Sequence, residues 1–390
     1  MRSMICALIT VLFAWFAGVA IGGSKPAIEE HRFQRRFGPG VCGPADPSYI
    51  RTSTETGGQP FFLSSAEVAK SAQIMSGSFL QSDLMLWASG DGEKAYSVAV
   101  DSSVERAMFS ASFDSKGGTL TVVSPDGTVF QQGERSEDTL LNCGRVITIE
   151  APASGTWQLR VVPTGRFWLV ARSKSALSLI AAEFVQPGGR PGHEGLFRIQ
   201  GRPIVGKPAN LRVRLSFEEV KSATFGLVSL DAQPLQNLEL KPLGKEEFVG
   251  TFTLPSEPFR VVVTGLDESG IPYQRIFATL FHAEDVEVIP PAGVGTLVAG
   301  AVSPVTFTIR NFGPSVRLNL VAVDSGGNVI PVEPSMLQLD QGAEGAVTVR
   351  LMPPPDAGPE SRLGVTLTAS SDGASPTSNY ATTEFIVARR

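Results

Sequence analysis

The sequence is poor in charge. Acidic and basic residues fill 18% of its 390 positions, against ~25% in an average soluble protein, and they nearly cancel, to a net charge of −5. With no basic excess to neutralise a phosphate backbone, nucleic acid is not an expected partner. Low net charge combined with plentiful Val, Leu, Ile and Phe excludes a mainly disordered chain. Long helices are excluded as well, because 40 Gly and 28 Pro would interrupt them throughout. Cysteine is scarce, at three residues, and no Asn-x-Ser/Thr glycosylation acceptor occurs. What is present is 42% hydrophobic residues spread among turn formers. The length suits two to four domains of about 100–200 residues each. This composition describes short β-rich domains and names no function.

The chain has one long apolar run, and it lies at the start. Met4–Ile21 carries no charge, follows Arg2, and closes on the small residues Gly18, Ala20, Gly22 and Gly23. A basic start, an apolar centre and a small-residue end form the pattern of a signal peptide, expected here over residues 1–22. A retained single anchor is the alternative, since about 18 apolar residues are just enough to span a bilayer. On either reading the rest of the chain lies outside the cytoplasm: secreted and extracellular, or periplasmic or cell-surface in a bacterium. After cleavage no membrane span is expected. Cys6 belongs to the signal, which leaves Cys42 and Cys143 as a candidate disulfide in an oxidising compartment. Residues 23–48, with a small basic group at Arg32, Arg35 and Arg36, read as a flexible arm.

Periodicity divides the remainder. Residues 49–63 read as a strand approach ending in Thr56-Gly57-Gly58-Gln59-Pro60-Phe61-Phe62-Leu63. Ser64 and Glu67 then have the spacing of a capping box, and Val68, Ala72 and Met75 form a helical stripe that Gly77 would end. From residue 94 the period becomes two. Tyr96, Val98 and Val100 alternate with polar neighbours, and Pro125-Asp126-Gly127 marks a hairpin turn. Residues 94–185 are expected to form an antiparallel sandwich or jelly roll, with a Pro/Gly linker after it. Residues 193–285 read as a second, Ig-like sandwich, and Ile289-Pro290-Pro291-Ala292-Gly293 adjoins the next boundary. Residues 286–390 carry short strands at the spacing of an immunoglobulin-like sandwich. The expected fold class is mostly β: tandem antiparallel sandwiches, jelly-roll or Ig-like, with one short N-terminal helix. Placed in series, the Ig-like sandwiches would form a rod with Pro-rich joints.

The order of motifs resembles a known family. Thr56–Leu63 followed by a helix is similar to the last strand and helix of a von Willebrand factor A domain, which makes residues 49–93 a vestigial A-domain piece. Next come the hairpin Leu120–Phe130, Leu140-Leu141-Asn142 and Pro152-Ala153-Ser154-Gly155-Thr156-Trp157. Pro258–Asp267 then leads to Tyr273-Gln274-Arg275. This order, over roughly residues 49–285, resembles the stretch after the A domain in hemicentins and in the von Willebrand A domain-containing protein 7 group. Residues 286–388 are similar to the Ig-like, CARDB-like domains that end some secreted members. The resemblance implies extracellular scaffolding or adhesion. It does not carry over metal-dependent adhesion, because no Asp-x-Ser-x-Ser occurs and Asp101-Ser102-Ser103 has the wrong spacing.

No catalytic constellation stands out. His31, His193 and His282 lack a second His or Cys at metal-binding spacing, and there is no Gly-x-Ser-x-Gly elbow. Asp126, Asp267 and Asp324 lie beside Gly and read as turn residues rather than Ca²⁺ ligands, because no turn gathers several acids. A non-enzymatic protein with no cofactor and no metal is therefore expected. Four residues are singled out as possible binding positions: Trp157 and Trp168, which could form a sugar platform or pack in the core, and Arg260 and Arg275, which could bridge strands or meet a partner. The partner would be an extracellular protein or glycan. The alternatives to a scaffold are a carbohydrate-binding accessory protein and a secreted hydrolase with dispersed residues.

Overall fold

The computed structural model describes residues 42, 46–72, 74–75, 83–189, 191–216, 220–244, 246–293, 295–358, 360–372 and 376–388. The expected signal peptide, the arm through residue 41, His31 and the Arg32, Arg35 and Arg36 group lie outside the described residues. Among the described residues no helix is long and apolar enough to cross a membrane.

The first element is a helix where a strand approach was expected: α1, Pro47–Glu55. Its start has a plain cause. Pro occupies the first turn, where its missing N–H costs nothing, and Asp46 accepts from Ser48 N at 2.8 Å. An extended strap, residues 56–63, comes next, and then the expected helical segment, which opens as a 3-10 helix, Ser65–Lys70, and is α-helical at residues 71–72 and 74–75; Gly77 lies outside the described residues. The capping box does form: Ser64 N–H donates to Glu67 Oε2 at 3.0 Å. The same carboxylate accepts from Asn142 N at 2.6 Å and Asn142 Nδ2 at 3.0 Å, so the box also fastens this helix to a hairpin turn.

The fold is mostly β, as expected. The first strands are β1 (Asp83–Asp91), β2 (Lys94–Val100), β3 (Val104–Phe113), β4 (Thr119–Val123), β5 (Ser136–Leu141), β6 (Gly144–Glu150), β7 (Gly155–Val162), β8 (Arg166–Ser175) and β9 (Leu179–Gly188). They continue with β10 (Gly195–Arg198), β11 (Pro208–Leu215), β12 (Ser222–Val228), β13 (Pro234–Leu238), β14 (Lys241–Pro242), β15 (Glu247–Thr253), β16 (Arg260–Leu266) and β17 (Pro272–Ile276). One nine-stranded sheet, β13-β12-β16-β17-β1-β8-β3-β6-β5, runs through both of the first two sandwiches. The three-stranded sheet β2-β7-β4 covers one half of it, and the five-stranded sheet β10-β9-β11-β15-β14 covers the other. The first two sandwiches thus lie side by side on a common sheet. The Pro/Gly stretch after residue 185 is not a linker. It closes the β9–β10 hairpin, with Gly189 and Gly192 at positive φ.

Burial explains how the common sheet is held. β7 alternates buried and exposed, as one face packs and the other meets water. β1 and β8 are buried almost continuously, because both of their faces are covered. On one side lies the core that includes Met85, Phe109, Trp157 and Phe167. On the other lies the strap, whose Phe62 joins Trp87, Trp168 and Ile276 while Phe61 and Leu63 join Met108 and Val146. Cys42 and Cys143 are bonded, with Cα atoms 6.1 Å apart, and tie the start of this segment to the β5–β6 turn.

The third sandwich comprises β18 (Val286–Ile289), β19 (Gly295–Val298), β20 (Ser303–Asn311), β21 (Val316–Asp324), β22 (Val329–Ile330), β23 (Val332–Glu333), β24 (Met336–Leu339), β25 (Glu344–Leu351), β26 (Arg362–Ser370) and β27 (Ser378–Ala388). Sheet β18-β20-β25-β23 packs on β19-β27-β26-β21-β22 around Phe307, Leu318, Val347 and Leu367. β19 lies parallel to β27, with Gly295 opposite Phe385, whose ring leaves no room for a Cβ there.

The bond between Cys42 and Cys143 closes a separation of 101 residues. Replacing both cysteines by serine is expected to lower unfolding stability by about 2–5 kcal/mol. Chemical denaturation of the two proteins under non-reducing conditions measures it; equal midpoints would contradict the strap's role in holding the sheet.

Candidate functional site

The common sheet has a weak point. β1 and β17 pair through one residue couple only, Leu84 with Ile276, so the backbone alone does little to join the two sandwiches. Side chains close the seam. Arg275, fully buried, donates to Asp101 Oδ2 at 2.7 Å, Ser175 Oγ at 2.9 Å, Leu177 O at 2.8 Å and Gln274 O at 2.8 Å. The other Asp101 oxygen accepts from Ser103 N at 3.1 Å and Ser103 Oγ at 2.6 Å. Every charge taken out of water here has its partners, which a buried pair requires. Gln274 Nε2 reaches Met85 O at 2.7 Å. Asp267 accepts from Ser102 N at 3.0 Å and Ser102 Oγ at 2.6 Å. Burial raises the Asp267 carboxyl, but the hydrogen bonds from Ser102 and Ile271 outweigh it and hold the group below its ordinary range. The Thr-Gly-x-Asp and Gln-Arg motifs of the sequence, together with Asp101-Ser102-Ser103, therefore form one junction.

A second junction lies under the strap. Arg260 is fully buried and faces the Trp87 ring, 4.5 Å from its centroid. It donates to Thr54 O and Ala278 O, while Arg172 Nη2 donates to Gly57 O at 2.5 Å. Neither guanidinium has a carboxylate in contact among the described residues. Arg260 meets instead the carbonyl of Thr54 in the last turn of α1, at the negative pole of the helix dipole, and Arg172 meets the Gly57 carbonyl in the strap just beyond it. Burial, and then Arg172, pull Arg260 down to about 9; burial pulls Arg172 to about 10. Both therefore remain charged at neutral pH. Trp87 Nε1 donates to Gly58 O at 2.8 Å, and the buried Gln59 amide donates to Trp168 O at 2.9 Å while accepting from Ser110 Oγ at 2.6 Å. Gly57 has φ +72°, and a Cβ there would strike Ala278.

All four expected binding positions are inside. Trp157 packs on Phe109 with ring centroids 5.3 Å apart, and Trp168 lies beneath Phe62 at 5.5 Å. The two indoles are 4% and 2% exposed, so neither offers a face to a sugar. Arg260 and Arg275 bridge elements rather than meet a partner. Asp126 caps its own hairpin turn, with the Ser124 hydroxyl and Thr128 N–H holding its carboxyl below the ordinary range. Asp324 also caps its own turn, accepting from Gly326 N at 2.9 Å and Asn328 N at 2.8 Å. His193 lies in the β9–β10 hairpin turn, and His282 lies between the second and third sandwiches. Among the described residues no group of three His, Cys, Asp or Glu could hold a metal.

Concave surface is found at the joint of the second and third sandwiches. Glu284, 5% exposed, accepts from Arg202, from Thr377 Oγ1 at 2.7 Å and from Ser378 N at 3.0 Å. Asn379 clasps Arg202 through Arg202 N at 2.8 Å and Arg202 O at 3.0 Å, and it also donates to Val286 O at 2.8 Å. Beside this network runs a groove of about 700 Å³, lined by Gln186, Lys207, Asn210, Glu287, Phe312 and Tyr380 among others. The Lys207 ammonium lies 4.4 Å from the Phe312 ring centroid. The sequence pattern singled out none of these residues. They come from separate segments and share no spacing; only the Pro290-Pro291 boundary nearby pointed to the region.

Asp101→Asn leaves the Arg275 charge buried beside a neutral amide, so it is expected to destabilise by about 3–5 kcal/mol. The double variant with Arg275→Met should recover part of that loss. A double-mutant cycle on unfolding free energies measures both, and additive losses would show that the pair does not couple the sandwiches.

No curated protein sequence matches the chain. Among solved structures it is similar, at 12% identity and a TM-score of 0.25, to the Bacillus licheniformis lipase BlEst2 in propeptide form, over 50% of this chain and 40% of that one. It is similar at 12% identity and a TM-score of 0.24 to Escherichia coli alpha-2-macroglobulin activated by porcine elastase, over 79% of this chain and 32% of that one. The ICAM-5 D1–D4 ectodomain fragment aligns at 10% identity and a TM-score of 0.21, over 77% of each chain. The chain spans less than half the length of the first two, and none of the three bears on activity. One family profile matches, that described as the VWA7 Ig-like domain, over residues 288–389. The chain thus carries at its C-terminal end a region of the VWA7 Ig-like type, in line with the family its motif order resembles.

Proposed function

We propose that this chain is an exported, non-enzymatic scaffold or adhesion protein that presents a rigid composite surface to an extracellular protein partner. The observation that carries the reading is the way its sandwiches are joined. Two share a sheet, and the third is clasped to the second by Glu284 and Asn379, so a groove is held at fixed geometry between them. Fixed geometry lowers the ordering cost of association. The match to the VWA7 Ig-like domain and the Cys42–Cys143 bond support an extracellular setting. Lys207 and the 44% exposed Tyr380, both on the groove, have the amphipathic character of residues that anchor interfaces. A glycan partner held on Trp157 and Trp168 has no support, since both rings are buried.

The test is adhesion of cells from the source tissue or culture to surfaces coated with the purified full chain. Tyr380→Ala and Lys207→Glu are expected to reduce attachment about tenfold or more, the scale of a ~1.4 kcal/mol loss, with unchanged thermal unfolding. Attachment that survives both substitutions would remove the groove from the reading; absence of any attachment would remove adhesion.

A further inference from the structure

His282 lies in the short segment that joins the second sandwich to the third, and both ends of that segment are fixed. Phe281 and Phe259 exchange backbone hydrogen bonds, at 2.8 and 3.0 Å. Glu284 N donates to Pro203 O at 2.8 Å, and Glu284 O accepts from Val205 N at 3.1 Å. These pairs fix the backbone on either side of His282, so its Cα cannot shift without breaking them. Its Nε2 is shielded from water and has no hydrogen-bond partner. It lines a cavity of about 280 Å³ together with Glu55, Glu183, Arg198, Arg202 and Tyr380.

The charges facing the ring come from every side of the joint. Glu55 is the last residue of α1, Arg260 belongs to β16, and Arg202 lies in the loop before β11. Glu284 is two residues along the same segment and already serves Arg202, Thr377 and Ser378. A proton on His282 would place a third cation beside Arg202 and Arg260, and Glu284, the carboxylate that clasps the third sandwich, is drawn to it. We propose that the joint between the second and third sandwiches is acid-sensitive: it is stiff while His282 is neutral, and protonated His282 loosens it by competing with Arg202 for Glu284.

The pH window follows from the ring's surroundings. Burial, then Arg202, lower the His282 value below its ordinary 6.5. The unfolded or opened segment binds the proton at the ordinary value. The stability of the joint is therefore full above about 6.5 and is lost as pH falls through the lower folded value.

Small-angle scattering of the full chain, titrated from about pH 7.5 to about pH 5, tests it. The wild-type protein should show a reversible increase in maximum dimension on acidification. His282→Phe, which keeps an aromatic ring and removes the proton site, should show none, and Glu284→Gln should be extended at every pH. His282→Gln replaces the Phe variant if near-ultraviolet circular dichroism shows that the latter misfolds. A wild-type dimension that does not change with pH would overturn the proposal, as would a His282 variant that responds like the wild type.

Discussion

The architecture depends on a buried ion pair at a place where the backbone is nearly absent. A sheet that passes from one sandwich to the next through a single residue couple would pivot there. Arg275 and Asp101 prevent this by drawing together β17, the end of β2 and the β8–β9 connection. Buried pairs give little net stability compared with apolar packing, but they are demanding about geometry. That is what a seam between two sandwiches needs. Apolar packing could slide, whereas a guanidinium with four partners in fixed directions cannot.

The same logic recurs under the strap. Two arginines are buried there with no carboxylate in contact, Arg172 having only the nearby Asp83 charge, which would be costly if nothing else answered them. The C-terminus of α1 does so for Arg260 and the Gly57 carbonyl of the strap does so for Arg172, and both segments are in turn held on the sheet. Arg172 comes from the first sandwich and Arg260 from the second, so the end of α1 and the start of the strap together straddle the seam and reinforce it. The disulfide at Cys42 and the Glu67–Asn142 contacts anchor the two ends of that N-terminal segment. The order of dependence runs from seam to common sheet, from common sheet to the placement of the third sandwich, and from there to the groove.

Much of the fold was legible in the sequence where one face of a strand meets water. Tyr96, Val98 and Val100 alternate because β2 is covered on one side only, and the Pro125-Asp126-Gly127 turn announced its own chemistry. β1 was missed because Asp83–Ser89 is covered on both faces and so has no period of two. α1 has a readable start at Asp46-Pro47, but its short polar sequence carries no apolar stripe, so periodicity does not mark it as a helix. The Ser64 capping box opens the expected helix, which begins as a 3-10 turn before becoming α-helical, and its Glu67 is also claimed by Asn142 across the sheet. The motif order marked the residues of the seam without revealing their use. Asp267, Gln274 and Arg275 stood out as a pattern, but only the sheet topology brings them to Ser102, Met85 and Asp101. The groove left no trace beyond the nearby Pro290-Pro291 boundary, since its residues converge from separate strands and loops.

If the seam holds as its geometry implies, the first two sandwiches form one cooperative body. Native-state hydrogen exchange of the full chain, measured by mass spectrometry over rising denaturant, tests this most directly. The slowest amides of β3 and β8 and those of β11, β15 and β16 should merge into one unfolding event with a common free energy. Exchange of the second sandwich through a separate, lower-energy opening while the first stays protected would contradict it.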